Sequence, residues 1–369
     1  MKQLLNRNNF WKFSNTGNSL LGVFLFLFFA ICGLNSCKND PPENNNYIPE
    51  PFNLVIPQGF PPMNIPEDNP LTVEGVALGR NLYYDNILST NGNSCSSCHH
   101  QDEAFTISGP GPDGQGVLAH INLGWKPFFG WNGGEHLLDH VPLADLADGN
   151  VFLNANSDSI LARFSRSSDY REMFRKAFNI NITEVSLDER KKFISQALAQ
   201  FIRTQISSNS RFDKFRLHLP DADFTPSEFV GYQIFFSEKG DCFHCHSVPL
   251  MTDHNFHNNG LDSGFSGASK GRFLVTNDPA DIGKFNVPTL RNIELTAPYM
   301  HDNRFNTLEE VVEFYNSGVI HSPTVDPVMT KPSRYYGLGL TSTEKADLIA
   351  FLKTLTDTVF TNNPALSAP

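Results

Sequence analysis

Cysteine and histidine recur with the same spacing in two five-residue stretches. Residues 95–99 read Cys-Ser-Ser-Cys-His, and residues 242–246 read Cys-Phe-His-Cys-His. This pattern is typical of c-type haem attachment, in which both thiols add to the haem vinyl groups and the histidine binds iron. The sequence therefore predicts two covalently bound c-type haems. The residues that would hold them are Cys95, Cys98 and His99 for the first haem, and Cys242, Cys245 and His246 for the second.

Two other uses of paired cysteines remain open at this point. Four thiolates from two Cys-x-x-Cys pairs form a common zinc site, and an exported protein also forms disulfides. Neither interpretation explains why a histidine follows the second cysteine of both pairs. We therefore favour haem.

The first 36 residues have the features of an export signal. Three basic residues precede an apolar run, residues 20–31, which is too short to span a bilayer but typical of a signal peptide. Leu34-Asn-Ser-Cys37 resembles a lipobox, so we expect Cys37 to carry a lipid anchor. Ordinary signal cleavage, with Cys37 left as a spare thiol, is the alternative. Both place the protein in the periplasm or cell envelope.

The charge of the chain is acidic. Its formal net charge is −11, and removal of the three basic residues of the signal leaves −14. Nucleic-acid phosphates need cationic partners, so nucleic acid is an unsuitable ligand. An acidic surface can steer a basic redox partner, although a merely solvated surface has the same composition.

The elements that must position the motifs are predicted to be helical, with long loops and little sheet. We expect a flexible Pro- and Asn-rich tether over residues 37–66, followed by two cytochrome-c-like domains, residues 67–219 and 220–369. Residues 106–134 are rich in Gly, Pro and aromatic residues and predict irregular loops. Apolar spacing and capping boxes predict helices near residues 71–84, 157–178 and 186–206, and helices that begin at Thr225, Thr307 and Thr341.

Residues 69–356 resemble the bacterial dihaem cytochrome c peroxidase family, including its MauG branch. The resemblance rests on both haem motifs, Ala104-Phe-Thr106, Trp131-Asn-Gly133, and the run 285–302 with the helix 307–315 that follows. It implies an all-α fold with one haem in each of two domains. It also implies that the first haem reacts with hydrogen peroxide, that the second passes electrons, and that a calcium ion lies between the domains.

The resemblance assigns a sixth iron ligand to the second haem. Peroxidases of the family place Met 14 residues after the histidine that corresponds to His301, and MauG-like members place Tyr there. This chain has Tyr315. A phenolate is a hard anionic donor and lowers the reduction potential relative to Met. Met300 is the alternative ligand, and a core tyrosine without a haem role is the structural alternative.

Further roles follow from the same resemblance. Trp131 matches the tryptophan that carries electrons between the haems, although a packing role is the alternative. Arg291 is expected to pair with a haem propionate. Thr296 and Pro298 match positions whose backbone oxygens bind calcium, whereas the asparagine ligand of the family is replaced by glycine near position 116.

The distal side of the first haem departs from the family. The family places Gln and Glu about 10 and 20 residues after the tryptophan, where this chain has Val141 and then Val151 or Asn150. We expect a neighbouring residue to move protons instead, or the haem to be a poor peroxidase. The candidates are His136, His140, Glu135 and Asp139.

The sequence predicts a peroxidase-type oxidoreductase that reduces hydrogen peroxide with electrons relayed between two haems. Its donor would be a small cytochrome or cupredoxin. One alternative is a MauG-like oxidase that acts on a protein or small molecule. A second is a non-catalytic dihaem protein that transfers electrons or senses peroxide. The sequence leaves the oligomeric state open, a homodimer included.

Overall fold

Helices dominate the secondary structure, as the sequence predicts. The computed structural model describes residues 47–147, 157–220, 222–332 and 337–369. The predicted signal peptide and Cys37 lie outside these residues. The α-helices in the described ranges are α1 Val73–Tyr84, α2 Val141–Ala147, α3 Ser157–Arg166, α4 Ser168–Phe178, α5 Leu187–Arg203, α6 Arg211–Arg216, α7 Pro226–Phe235, α8 Phe273–Thr276, α9 Leu308–Glu313, α10 Ser342–Lys353 and α11 Thr358–Thr361.

Local capping chemistry sets where several of these helices begin. Full capping boxes, in which the N-cap side chain and the N3 side chain each accept a backbone N–H, occur at Ser186, Thr225, Thr307 and Thr341. The predicted helix over residues 157–178 is two helices, because the Ser167 side chain accepts the Tyr170 N–H and starts α4 afresh.

Each half of the chain contains one close helix crossing built on glycine. A Cβ atom on Gly79 of α1 would lie 1.9 Å from the Ala197 carbonyl oxygen of α5. A Cβ atom on Gly231 of α7 would likewise lie 1.9 Å from the Asp347 carbonyl oxygen of α10. Only the absence of a side chain lets the backbones approach this closely. Both helices that precede the Cys-x-x-Cys-His motifs are therefore fixed in the same way.

Apolar side chains form two clusters that do not follow the chain order strictly. The first cluster contains α1, α4 and α5, and the second contains α7, α9 and α10. Phe212, which precedes the predicted domain boundary at residue 219, packs in the second cluster. Phe360 and Leu366 return to the first cluster, where Arg80 Nε donates to the Ser367 carbonyl at 2.7 Å.

Extended structure is sparse in the described ranges. β1 (Phe256–His257) and β2 (Phe285–Asn286) form an antiparallel pair, with Phe256 opposite Asn286. No helix in these ranges has both the length and the apolar character needed to cross a bilayer.

The end of the predicted tether lies against the folded body. The Phe52 N–H donates to the Leu71 carbonyl at 3.0 Å, and the Phe60 ring lies 5.3 Å from the Trp125 ring. Residues 47–66 lack helices and strands but are held by these contacts.

One loop structure occurs twice, at an offset of 170 residues. Asn122 and Asn292 both have left-handed backbone conformations, with φ of 58° and 59°. Each precedes a short 3₁₀ helix, Leu123–Trp125 or Ile293–Leu295. Isolated bridges then join Phe129 to Glu135 and Tyr299 to Phe305. The two halves therefore share a local plan that can be compared residue by residue.

Candidate functional site

The first motif presents a buried imidazole whose orientation is fixed. A 3₁₀ helix, Cys95–Ser97, carries the first thiol. The His99 Nδ1 donates to the Phe105 carbonyl at 2.8 Å, and Phe105 has a left-handed backbone conformation with a φ of 61°. Burial lowers the pKa of His99 to about 4, so the ring is neutral. Its Nε2 lone pair is therefore available to a metal, the arrangement in which ligating histidines are usually held.

The second motif repeats this geometry. The His246 Nδ1 donates to the Met251 carbonyl at 3.2 Å, and Met251 has a φ of 56°. Burial lowers the pKa of His246 to about 4. Cys242, Cys245 and His246 line a single cavity. The thiols and the neutral imidazole fit a covalently attached haem in this cavity.

Tyr315 and Met300 line the same cavity as the second motif. Tyr315 lies in a π-helical turn, Phe314–Gly318, that continues α9; such turns are frequent at functional sites. The Asn259 Nδ2 donates to the Tyr315 phenol oxygen at 3.2 Å and lies 3.7 Å from the Met300 sulfur. Burial raises the pKa of Tyr315 to about 12, whereas the Asn259 hydrogen bond lowers it.

Trp131 also lines this cavity. Its Nε1 donates to the Gly116 carbonyl at 2.7 Å, and its ring meets the His301 ring edge to face at 6.4 Å. The Trp131 carbonyl accepts the Asn286 N–H at 2.8 Å. Trp131 is thus held through its indole by Gly116 of the first half and through its backbone by Asn286 of the second half.

Two basic side chains that sequence reasoning did not select also line the cavity. Burial lowers the pKa of Lys126 to about 8 and that of His254 to about 4. Both ring nitrogens of His254 are buried without a hydrogen-bond partner. Such groups suit a polar or anionic ligand that would satisfy them.

Arg291 is fully buried and already paired. Its guanidinium donates to both carboxylate oxygens of Asp213, at 2.7 and 2.8 Å, and its Nε donates to the Pro249 carbonyl at 3.0 Å. The predicted propionate contact therefore stays a prediction, and the observed partner of Arg291 is Asp213.

The four distal candidates separate into two groups. The Asp139 carboxylate accepts hydrogen bonds from Arg203 and Asn69, and the Asp139 side chain is 11% exposed. These contacts commit Asp139 to the fold. Glu135 and His140 are half-exposed, with 3.5 Å between Glu135 Oε1 and His140 Nδ1. The His136 ring lies 5.1 Å from the Phe128 ring.

Backbone contacts keep Glu135 ionised. Partial burial raises its pKa, but the N–H groups of His136 and Leu137, which donate at 2.7 and 3.0 Å, outweigh that effect. The pKa of Glu135 is therefore below its usual value. A carboxylate beside an imidazole can accept a proton and pass it on. Val141 begins α2, whereas Asn150 and Val151 lie outside the described residues.

Two further residues of the first half were missed, one of them against His99. The His120 ring stacks on the His99 ring with 3.6 Å between centroids, and its Nδ1 lies 3.1 Å from the Tyr83 hydroxyl. Arg203 is buried, and its Nε and Nη1 have no hydrogen-bond partner. Unpaired guanidinium donors suit a ligand that carries carboxylates, as haem does.

Thr296 and Pro298, the positions expected to bind calcium, line the same cavity as Trp131. Gly116, where the asparagine ligand of the family is replaced, lines this cavity as well. The Gly116 N–H donates to the His301 carbonyl at 2.9 Å. This hydrogen bond joins the loop that contains Gly116 to the loop that contains His301.

A search for the internal repeat would have identified some of the missed residues. The offset of 170 residues pairs His120 with Leu290, so the imidazole stands where the other half has an aliphatic residue. Asn259 and Arg203 carry no comparable local signal, because their contacts join distant parts of the chain.

Comparisons with known proteins agree on one family. A model described as "Di-haem cytochrome c peroxidase" matches residues 73–219. The cytochrome-c peroxidase IdrP1 of Denitromonas iodatirespirans is 30% identical, covering 81% of this chain and 86% of that protein. The methylamine utilization protein MauG of Methylorubrum extorquens is 31% identical, covering 79% of this chain and 80% of that protein.

A solved structure gives the same result for the fold. The crystal structure of a MauG-like protein associated with microbial copper homeostasis has a TM-score of 0.77 and 35% sequence identity. The match covers 86% of this chain and 99% of the MauG-like protein.

Proposed function

The chain belongs to the dihaem cytochrome c peroxidase family, and from that premise we propose that it reduces hydrogen peroxide with electrons relayed between two c-type haems. The observation that carries this proposal is the paired geometry of His99 and His246. Each is a buried, neutral imidazole that donates through Nδ1 to a backbone carbonyl. Two sites prepared for the same kind of metal ligation are what an oxidoreductase with two haems requires.

Cys95, Cys98 and His99 would hold the first haem, and Cys242, Cys245 and His246 would hold the second, each in its own helical domain. Bound haem supplies one-electron and peroxide chemistry that side chains alone do not provide. The unpaired donors of Arg203 support a haem carboxylate in the first half. Lys126 and His254 would offer polar contacts to the second haem, because they line the same cavity as the second motif.

Tyr315 would be the sixth ligand of the second iron. Its phenol oxygen lies in the same cavity as His246, and the Asn259 N–H favours the phenolate. A hard anionic donor favours ferric iron and lowers the reduction potential. Met300 lies in the same cavity and is the alternative ligand.

Proton handling beside the first haem would fall to Glu135 and His140. Their side chains are within 3.5 Å and half-exposed, so they can exchange protons with solvent. General acid–base help of this kind typically contributes ~10²–10⁴ in rate. Trp131, fixed through Gly116 and Asn286, would lie on the electron path between the two sites.

The cellular setting is part of the proposal. The basic and apolar pattern of residues 1–36 supports export, and the lipobox at Cys37 supports a lipid anchor that faces the periplasm or cell envelope. A small cytochrome or cupredoxin would supply electrons to the second haem. The acidic chain would attract a basic donor.

Steady-state kinetics with the purified dihaem protein test the function. We expect hydrogen peroxide to oxidise a reduced small c-type cytochrome catalytically, and Trp131→Phe to slow turnover while both haems remain attached. Electron paramagnetic resonance of the resting protein should show one high-spin and one low-spin haem. Two low-spin haems that do not respond to peroxide would overturn the proposal in favour of an electron carrier. A long-lived oxidised state without turnover would instead indicate a MauG-like oxidase.

A further inference from the structure

Gly116 and Asn303 meet at the junction between the two repeated loops. A Cβ atom on Gly116 would lie 2.9 Å from the Asn303 Oδ1 and 2.9 Å from the Met300 carbonyl oxygen. The Asn303 carboxamide oxygen therefore occupies space that a side chain at position 116 would need.

The Asn303 carboxamide has no protein partner. Its Oδ1 and Nδ2 are both buried and form no hydrogen bond. Burying an amide costs free energy when the amide finds no hydrogen-bond partner in the protein. Such groups therefore usually face a water molecule or an ion. The oxygen of this carboxamide is therefore available to bind an ion.

Asn303 also has a counterpart in the first half with the same backbone conformation. Asn303 has a φ of 60°, a conformation that favours glycine. Its counterpart 170 residues earlier, Gly133, has a φ of 67°. An asparagine is tolerated in this conformation more readily than most residues, but it still gives up the freedom of glycine. The second half therefore carries a side chain at a position where the first half has glycine.

We propose that Asn303 supplies the carboxamide oxygen of a calcium site, in place of the asparagine that relatives of this family carry at position 116. The remaining protein ligands would be the backbone oxygens of Thr296 and Pro298. Calcium prefers such neutral and anionic oxygen donors. Position 116 has lost its side chain, and position 303 has gained one that reaches the same space from the facing loop. The proposal rests on the family assignment made above.

Neighbouring carboxylates do not offer an equally suitable site. Asp262 and Asp302 lie close to His301, but both carboxylates accept hydrogen bonds from the Arg304 guanidinium. Their charge is thus already balanced. Asn303 has no competing contact, so it is the group on which calcium binding should depend.

The test measures calcium directly in the dihaem protein. Wild type and Asn303→Gly are dialysed against calcium-free buffer. Metal content is then measured by mass spectrometry and affinity by calorimetry with calcium chloride. We expect one calcium per wild-type chain and at least tenfold weaker binding in Asn303→Gly. Asn277→Gly is the matched control, because Asn277 is an exposed asparagine with a φ of 55°.

Each result has a defined meaning. Equal affinity in wild type and Asn303→Gly, or no binding by wild type, overturns the proposal. So does a loss of calcium in Asp262→Asn with retention in Asn303→Gly. Peroxide turnover is measured separately on wild type. Turnover without calcium binding rejects this inference alone, whereas calcium binding through Asn303 without turnover rejects the proposed function alone.

Discussion

The side-chain N–H of Asn259 donates to the phenol oxygen of Tyr315 at 3.2 Å. Asn259 thereby stabilises negative charge on the residue proposed as the sixth ligand of the second haem. The same amide lies 3.7 Å from the Met300 sulfur. One side chain thus contacts both candidate ligands, and it can be used to distinguish them.

Replacement of Asn259 by leucine should lower the reduction potential of the second haem. Without the hydrogen bond the phenolate donates more strongly to iron, and a difference of ~1 kcal/mol between oxidation states corresponds to ~40 mV. Potentiometric titration followed by absorption spectroscopy measures the shift.

Tyr315→Met should raise the potential of the second haem by a larger amount, within the ~0.8 V range that axial ligands cover. Met300→Leu is the control and should leave the low-spin spectrum unchanged. A changed spectrum in Met300→Leu would identify Met300 as the ligand.

Replacement of His120 by leucine, the residue at the corresponding position 290, should destabilise the first half. Burial, with the neighbouring His99 and Lys126, keeps the pKa of His120 well below its usual value, so no charge is lost. The buried Tyr83 hydroxyl would lose its partner, which costs about 1–3 kcal/mol of unfolding free energy. Denaturant titration of His120→Leu, Tyr83→Phe and the double variant measures the coupling. Additive effects of the two substitutions would show that the Tyr83–His120 contact contributes nothing.

Glu135 and Asp139 should respond to substitution in opposite ways. Glu135→Gln should lower the rate of peroxide reduction by about 10²–10⁴ with little change in stability, because the side chain is half-exposed. Asp139→Asn should lower the unfolding free energy by about 3–5 kcal/mol, because Arg203 would keep a buried charge without its partner. His140→Gln and His136→Gln, assayed in parallel, identify the imidazole that works with Glu135. A stable Asp139→Asn variant that has lost activity would move the proton-transfer role to Asp139.

Stability should fall as the pH rises above neutrality. Hydrogen bonds to Asp253 and Asp326 raise the pKa of His257 from 6.5 to about 9. The folded protein therefore holds a proton that the unfolded chain releases. The stabilisation is complete below pH 6.5 and is lost as the pH approaches 9; it amounts to at most ~3 kcal/mol. Urea titrations at pH 6.5 and 9.5 measure it, and His257→Gln should flatten the dependence. An unchanged pH dependence in His257→Gln would assign the effect to other groups.

The sequence predicts the helix starts well because capping is local. Thr225 and Thr341 each contact a glutamate three residues away, so both signals are visible in the sequence. The break at Ser167 was missed although its signal is also local, since a serine N-cap inside an apolar pattern resembles an ordinary polar residue. The helical character is confirmed. The division into two haem domains stays a prediction.

Site residues could be proposed from sequence only where one motif contains the whole chemistry, and their roles stay predictions. His99 follows from its neighbours in sequence, whereas the contact between Asn259 and Tyr315 spans 56 residues and that between Arg203 and Asp139 spans 64. Such pairs depend on how loops and helices pack, which no local pattern encodes. The roles of Trp131, His136, Thr296 and Pro298 likewise stay predictions.

The return of Phe360 and Leu366 to the first apolar cluster has a consequence for biogenesis. A chain threaded across a membrane from its amino-terminal end exposes Cys95 and Cys98 long before residue 360 emerges. Part of the packing around the first motif is therefore missing during this interval. In the proposed export, the thiols would stay accessible to haem attachment until the late segment arrives, and docking of that segment would then complete the first cluster.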